Sequence, residues 1–392
     1  MLDNRKIADL PSLLEVTPER GFLPVEDPIL RLPDVYDSWE EVARELPKLL
    51  AAGRLRPALD RLGVLDIDGL PKEEHYHRAM LLLSYFGHAY VWGETEPAKR
   101  LPAGVAIPWC QVAHRLGRPP ILSYASYALY NWRRLDKAGP IALGNIVLCQ
   151  NFLGGVDEEW FVVVHVAIEA TASAALESLE RAQRFALEDR PQDVADALRE
   201  SAQVMRQMQA TLDRMPEHCD PYIYFHRVRP YLYGWKDQPA LPAGLNYDGV
   251  DADDQPRKFR GETGAQSSII PALDAALGIE HAPDPLRSYL MEMREYMPPS
   301  HRKYVEALER GPSLRPYVLA HGADCPGLRS EFNRCVTCVE RFRARHLEYA
   351  ARYIQQQNLH GRSNPNDVGT GGTPFMAYLK KHREETAASL VS

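Results

Sequence analysis

The stretch from Phe332 to Tyr353 constrains the fold most. Its apolar and aromatic positions fall at Phe332, Cys335, Val339, Phe342, His346, Tyr349 and Tyr353. The steps alternate between three and four residues, the period of one helical face, so the spacing predicts a long amphipathic helix with that stripe turned inward. One of the inward positions is a histidine, ringed in sequence by Arg341, Arg343, Arg345 and Arg352. An imidazole taken out of water needs a partner, so His346 carries information about what it faces.

The residues leave three readings of His346 open. The plainest is a core histidine bonded to a backbone carbonyl. The second is an axial ligand of haem iron, since a haem also brings two propionates that need nearby arginines. The third pairs Cys335-x-x-Cys338 with Cys325 and His346 as a zinc site. Such sites draw their cysteine pairs from knuckles or turns, whereas this pair lies inside a helix and lacks a second close pair, so Cys335 reads better as small core filler.

The rest of the chain reads as helix after helix with little strand pattern, and the expected class is all-α. Ser38-Trp-Glu-Glu41 has the form of a capping box opening a helix that Pro47 bends or ends. A short helix is expected near 54–62, and a stronger one over 72–92, ending at Gly93. The latter carries His75, His77 and His88, none paired at i,i+4; they read as surface or ordinary core histidines. Prolines 102, 108, 119 and 120 punctuate the next part of the chain. Ile121–Leu135 reads as a helix with Tyr124, Tyr127 and Asn131 on one face. The turn-rich run 139–155 reads as a connector, dividing a smaller N-terminal helical domain, 1–151, from a larger one, 152–392. Long helices are expected over 157–188 and from Pro191 to about 216. Asp220-Pro221 reads as an N-cap with proline at the first helical position, opening the segment Tyr222–Trp235. Further helices are expected at 266–278, 284–296, 299–309, 312–321 and 327–357. A polar, glycine-rich loop over 358–373 precedes a last helix beginning at Pro374.

A chain of 392 residues, 45% hydrophobic and 25% charged, can bury a large core. Its formal charge of −7 and the lack of any long Lys/Arg run argue against nucleic acid as a partner. The most apolar run, Phe161 to Leu176, is broken by His165 and Glu169 and is shorter than a membrane span. Met1-Leu-Asp-Asn-Arg-Lys has no signal-peptide shape. A cytoplasmic protein with no membrane partner is therefore expected.

Eight stretches, in order, carry a family resemblance: Leu32-Pro-Asp-Val-Tyr, Ala89-Tyr-Val-Trp-Gly93, Pro119-Pro-Ile-Leu, Tyr231-Leu-Tyr-Gly-Trp-Lys236, Gly264-Ala-Gln-Ser-Ser268, Met297-Pro-Pro-Ser-His-Arg302, His346-Leu with its arginine-rich flank, and Gly369-Thr-Gly-Gly-Thr373. Together they resemble the indoleamine 2,3-dioxygenases, haem enzymes that open the indole ring of tryptophan with O₂. The resemblance runs from about Leu32 to the last helix. It implies a small helical domain on a large one with haem b between them, and His346 as the proximal ligand. It implies Arg343 and Asp274 as a supporting pair behind the haem, Arg229 as the group that holds the substrate carboxylate, and Thr373 on a loop that closes over substrate. Pocket positions by the same resemblance are Tyr124, Tyr127, Phe161, Val162, Tyr224, Phe225 and Leu232, with Glu262, Thr263 and Gly264 beside them. A reductant would keep the iron ferrous.

The chain departs from familiar members in three places. His165 stands where they carry a distal serine, and is in this respect similar to the tryptophan 2,3-dioxygenases, whose distal histidine meets the indole N–H. Gly261-Glu262-Thr263-Gly264-Ala265 replaces Gly-Gly-Ser-Ala-Gly. The loop before Gly369 is shorter than in mammalian members. The function implied is ring opening of L-tryptophan or a close indoleamine to N-formylkynurenine. A haem monooxygenase or peroxygenase acting on a modified indole, and a haem-binding sensor, remain as alternatives.

Overall fold

The computed structural model describes residues 16–250, 255–357 and 367–392. Its helices are α1 (Asp37–Ala51), α2 (Leu55–Leu59), α3 (Glu73–Trp92), α4 (Ala103–Arg115), α5 (Val156–Leu187), α6 (Pro191–Leu212), α7 (Ile269–Leu277), α8 (Pro285–Arg294), α9 (Pro299–Arg310), α10 (Leu314–His321), α11 (Leu328–Tyr353) and α12 (Phe375–Ala387). Strands among the described residues are confined to two small pairs. Arg100–Leu101 runs parallel to Asn246–Tyr247, and Trp132–Arg134 runs antiparallel to Ile146–Leu148. The chain is an all-α protein, as its periodicity predicts.

Helices α5, α6 and α11 form the centre, with α12 laid against α11 and α3 against α4. Two apolar cores meet along α5. Val162, Val163, Val166 and Ala167 belong to the core built from α1, α3 and α4. Val164, Ile168 and Ala172 belong to the core shared with α6, α7 and α11. Helix α5 is long and apolar enough to cross a membrane, but most of its apolar window is buried inside the protein. A helix apolar nearly all round is what a seam between two cores requires.

Several local expectations fail for identifiable reasons. Ser38 and Glu41 form no capping box: α1 already begins at Asp37, and no side chain caps it. Pro47 does not end α1, which runs on to Ala51. The carbonyl that Pro47 cannot bond, that of Ala43, accepts from Gln150 Nε2 at 3.0 Å instead. Pro108 lies within α4, a helix the proline spacing conceals. The helix expected over Ile121–Leu135 shrinks to one π turn, Ala125–Leu129, with a strand after it. Asn131 stops it: its amide donates to the carbonyl of Gln150 at 2.8 Å and to the Tyr85 hydroxyl at 2.9 Å, while its side-chain oxygen accepts from the Gln150 N–H at 2.8 Å. That is local competition with the helix ladder.

Asp220 caps its helix as expected, accepting from Tyr222 N and Ile223 N, with Pro221 at the first position. The segment beyond the cap is not a uniform helix. It changes from α (Pro221–Ile223) to π (Tyr224–Val228) to 3₁₀ (Arg229–Leu232). Pro230 lacks the N–H that a regular continuation would use, and changes of winding of this kind are frequent at functional sites.

Candidate haem and substrate site

The inward stripe of α11 has two halves. Phe332, Cys335 and Val339 are fully buried. Cys335 and Cys338 turn their thiols to the carbonyls of Leu198 and Ala202 on α6, at 3.1 and 3.6 Å. The zinc reading therefore fails: among the described residues Cys325, Cys335, Cys338 and His346 are not gathered at one point. His346 departs from the expected core position. Its side chain keeps accessible surface and makes no hydrogen bond among the described residues. Burial by the surrounding protein, with a smaller contribution from His165, nevertheless lowers its pKa to about 4. The ring thus keeps surface that no described side chain covers, in surroundings that the protein largely desolvates. At pH 7 this imidazole is neutral, with a lone pair to give.

His165, on α5, lies near enough for its charge to act on His346. Its Nδ1 lies 2.7 Å from the carbonyl of Phe161, one turn back. A carbonyl only accepts, so Nδ1 carries the proton and Nε2 keeps its lone pair. Burial lowers the pKa of His165, so it too is neutral. Phe161 stands beside it, ring centroids 4.6 Å apart, and meets Tyr224 at 4.7 Å; Tyr124 lies 6.1 Å from His165. Val162, Phe225 and Leu232 are buried in the same region.

Arg229 is fully buried. It donates to the Tyr233 hydroxyl and, at 2.6 Å, to the carbonyl of Val368; its guanidinium lies over the rings of Phe225 and Tyr233. Val368 belongs to the glycine-rich loop. The loop expected over 358–373 falls partly on residues 358–366, outside the described residues. The described part is well tied. Thr370 donates to the Glu262 carbonyl at 2.5 Å, and Gly371 accepts from Arg260 at 2.7 Å. Tyr289 bonds Thr373 and Thr263.

Arg343 and Asp274, expected as a pair, are one. The guanidinium grips the carboxylate through two bonds, at 3.1 and 2.6 Å, and also bonds the Thr386 hydroxyl. Burial alone would push the Asp274 pKa up; the charge of Arg343, with help from His281, holds it below the ordinary carboxylate value.

Glu262 is buried, and burial alone raises its pKa to about 8. Its charge adds to burial in raising the pKa values of Tyr124, Tyr127 and Tyr224, so its carboxyl lies within electrostatic reach of all three. Tyr127 brings a buried hydroxyl without a partner among the described residues. Thr263 caps the short turn Gly264–Gln266, and Gly264 borders open space.

Sequence reasoning misses the supports. Glu169, one turn beyond His165, accepts from the Tyr124 and Ser267 hydroxyls at 2.8 and 2.9 Å and has its pKa raised to about 7 by burial. Gln266 accepts from the Tyr124 N–H at 2.9 Å. A signal for Glu169 is present in the sequence: two polar residues four apart interrupt an apolar run and share one helical face.

The residues suit a haem. Two neutral imidazoles lie near each other in desolvated surroundings, and one of them, His165, sits beside the rings of Phe161 and Tyr124. The comparison with known proteins decides the family. The indoleamine 2,3-dioxygenase family model matches residues 12–389. The chain belongs to the indoleamine 2,3-dioxygenase family. Indoleamine 2,3-dioxygenase 2 of Homo sapiens is 34% identical over 389 residues, covering 96% of this chain and 94% of the relative. Indoleamine 2,3-dioxygenase 1 of Mus musculus is 36% identical over 386 residues, covering 93% and 92%. Indoleamine 2,3-dioxygenase of Saccharomyces cerevisiae is 32% identical over 438 aligned positions, covering 99% and 96%. As an indoleamine 2,3-dioxygenase family member, the chain is a haem-dependent oxidoreductase that uses O₂.

Proposed function

We propose that this dioxygenase opens the C2–C3 bond of L-tryptophan, or of a close indoleamine, to give N-formylkynurenine. The observation that carries this reading is the nearness of two neutral histidines, His346 and His165, in the same protein as a buried arginine, Arg229, that bonds the glycine-rich loop. Haem iron, when bound, supplies the redox chemistry that lets triplet O₂ react with a spin-paired indole; a reductant is needed to keep it ferrous.

The chain's own residues bind and orient. His346 holds the iron, and the Arg343–Asp274 pair steadies the helix behind it. Arg229 takes the substrate carboxylate, exchanging the neutral Val368 carbonyl for a charge-assisted pair. Tyr124, Tyr127, Phe161, Val162, Tyr224, Phe225 and Leu232 fix the ring, with Glu262, Thr263 and Gly264 along its edge. Orientation of this kind removes several kcal/mol from a barrier. His165 Nε2 accepts the indole N–H. Thr373, on the loop, covers the substrate and keeps water out. The organisation we propose is a smaller unit over 1–151 and a haem-binding unit over 152–392.

The test is mass spectrometry of products from the ferrous protein given tryptophan and O₂. Two added oxygens and the near-ultraviolet absorption of N-formylkynurenine are expected. A single added oxygen would make it a monooxygenase, and binding without product a sensor.

A further inference from the structure

Behind the Arg343–Asp274 pair lies a cluster that the dioxygenase reading does not use. His281 lies just past the end of α7, while His382 and Glu385 lie one turn apart on α12. One ligand-type atom from each of the three falls within 4.8 Å of the others. The His281 and His382 rings are 4.5 Å apart. His281 Nδ1 lies 2.6 Å from Glu385 Oε2, and its Nε2 lies 3.1 Å from Asp274 Oδ2. His382 is 9% exposed, and its Nε2 is buried with no hydrogen-bond partner among the described residues.

We propose that His281 Nδ1, His382 Nε2 and Glu385 Oε2 form a binding site for a divalent transition metal, zinc by its donor set, with a fourth position left to water. Two imidazoles and one carboxylate are a zinc donor set, and three protein ligands leave one position open. The orphaned His382 nitrogen is the second observation: a purely structural ion pair between His281 and its two carboxylates would have no use for it.

The outer contacts are those a metal site requires. His281 would keep Nε2–H on Asp274 while Nδ1 turns to the metal, the carboxylate–histidine–metal arrangement that fixes tautomer and ring orientation. Glu385 Oε1 is already held by the Ala282 N–H at 3.2 Å and by Lys381 at 3.4 Å, which leaves Oε2 as the ligand atom. Asp274, Glu385 and Asp284 offset Arg343, Lys381 and Arg287, whose guanidinium donates to the His281 carbonyl at 3.0 Å, so the cluster carries no excess positive charge against a dication. Since Asp274 also grips Arg343, metal at this site would stiffen the contact between α7, α11 and α12.

The experiment is a zinc titration of the haem-loaded protein against a chromophoric chelator, with haem content read independently from the Soret band. One equivalent bound with a sub-micromolar Kd is expected, together with a rise in Tm of a few degrees. His382→Ala and Glu385→Gln should each weaken zinc at least tenfold while the Soret band persists. Cys335→Ser/Cys338→Ser should leave zinc binding unchanged. Less than a fifth of an equivalent bound by the native protein would overturn the proposal. So would equal affinity in His382→Ala, or loss in the cysteine variant.

Discussion

His88 and His346 are both desolvated histidines on helices, and they are wired in opposite ways. His88 sits in the first core, on α3. Its Nδ1 meets the Tyr231 carbonyl at 2.6 Å, and its Nε2 accepts from the Leu122 N–H at 3.0 Å. Both ring nitrogens are engaged, and the histidine ties three distant segments together. His346, on α11, is bonded by neither nitrogen among the described residues, yet burial keeps it neutral. On the proposed reading, the difference separates a structural histidine from one kept for a ligand. Sequence periodicity cannot distinguish them, because both lie within helices rich in apolar residues.

The largest expected effect lies on the ligand side of this comparison. Arg229→Ala should lower kcat/KM for tryptophan about 30- to 1,000-fold, corresponding to about 2–4 kcal/mol, and should affect indole far less. Equal losses on the two substrates would remove Arg229 from the carboxylate.

Next comes the structural side. His88→Ala strands a buried N–H and a buried carbonyl and should cost about 2–4 kcal/mol of unfolding free energy in urea. His346→Ala in the haem-free protein should change stability by no more than about 0.5 kcal/mol. Similar losses in both variants would erase the distinction.

A smaller effect concerns His165. A pocket that bonds the indole N–H should disfavour 1-methyl-tryptophan by about 1–3 kcal/mol in kcat/KM. In His165→Ser that discrimination should shrink. An unchanged ratio between the two substrates would leave His165 as a core residue.

The least of the four is a pH effect on Glu262. A carboxyl raised by burial holds its proton in the folded state and loses it on unfolding. Its contribution is therefore lost as pH rises from the ordinary carboxylate range to about 8. Glu262→Gln should flatten that part of the Tm–pH curve, so that the variant gains on the native protein between pH 4 and pH 8. Parallel curves for native and variant protein would mean that Glu262 does not titrate in this window.

Long-period features are legible in the chain. The stripe on α11, the apolar run of α5 and the Asp220–Pro221 cap all appear where their residues place them, because each depends on neighbours within a turn or two. Features that depend on distant partners are not legible. Gln150 reaches Ala43 across the first core and lets a helix pass through Pro47. Asn131 trades a helix for a strand by bonding Gln150 and Tyr85. In the site, the order of residues and their resemblance to a family draw attention to His346, His165, Arg229 and the Arg343–Asp274 pair. Glu169, Gln266, Tyr233 and Tyr289, which hold those groups or their neighbours, show themselves only in three dimensions. Periodicity misjudges the exposure of His346 for a related reason. A helical stripe says which residues face inward, but not whether other side chains cover them.

We propose that His346 is reserved for iron, and the most direct measurement is haem binding by optical titration of the native protein and His346→Ala. The native protein should take up one equivalent and show the Soret band of a histidine-ligated iron. The variant should lose most bound haem, or lose that band, while its haem-free form stays folded. A variant that retains one equivalent of haem, an unaltered Soret band and normal turnover would contradict the claim.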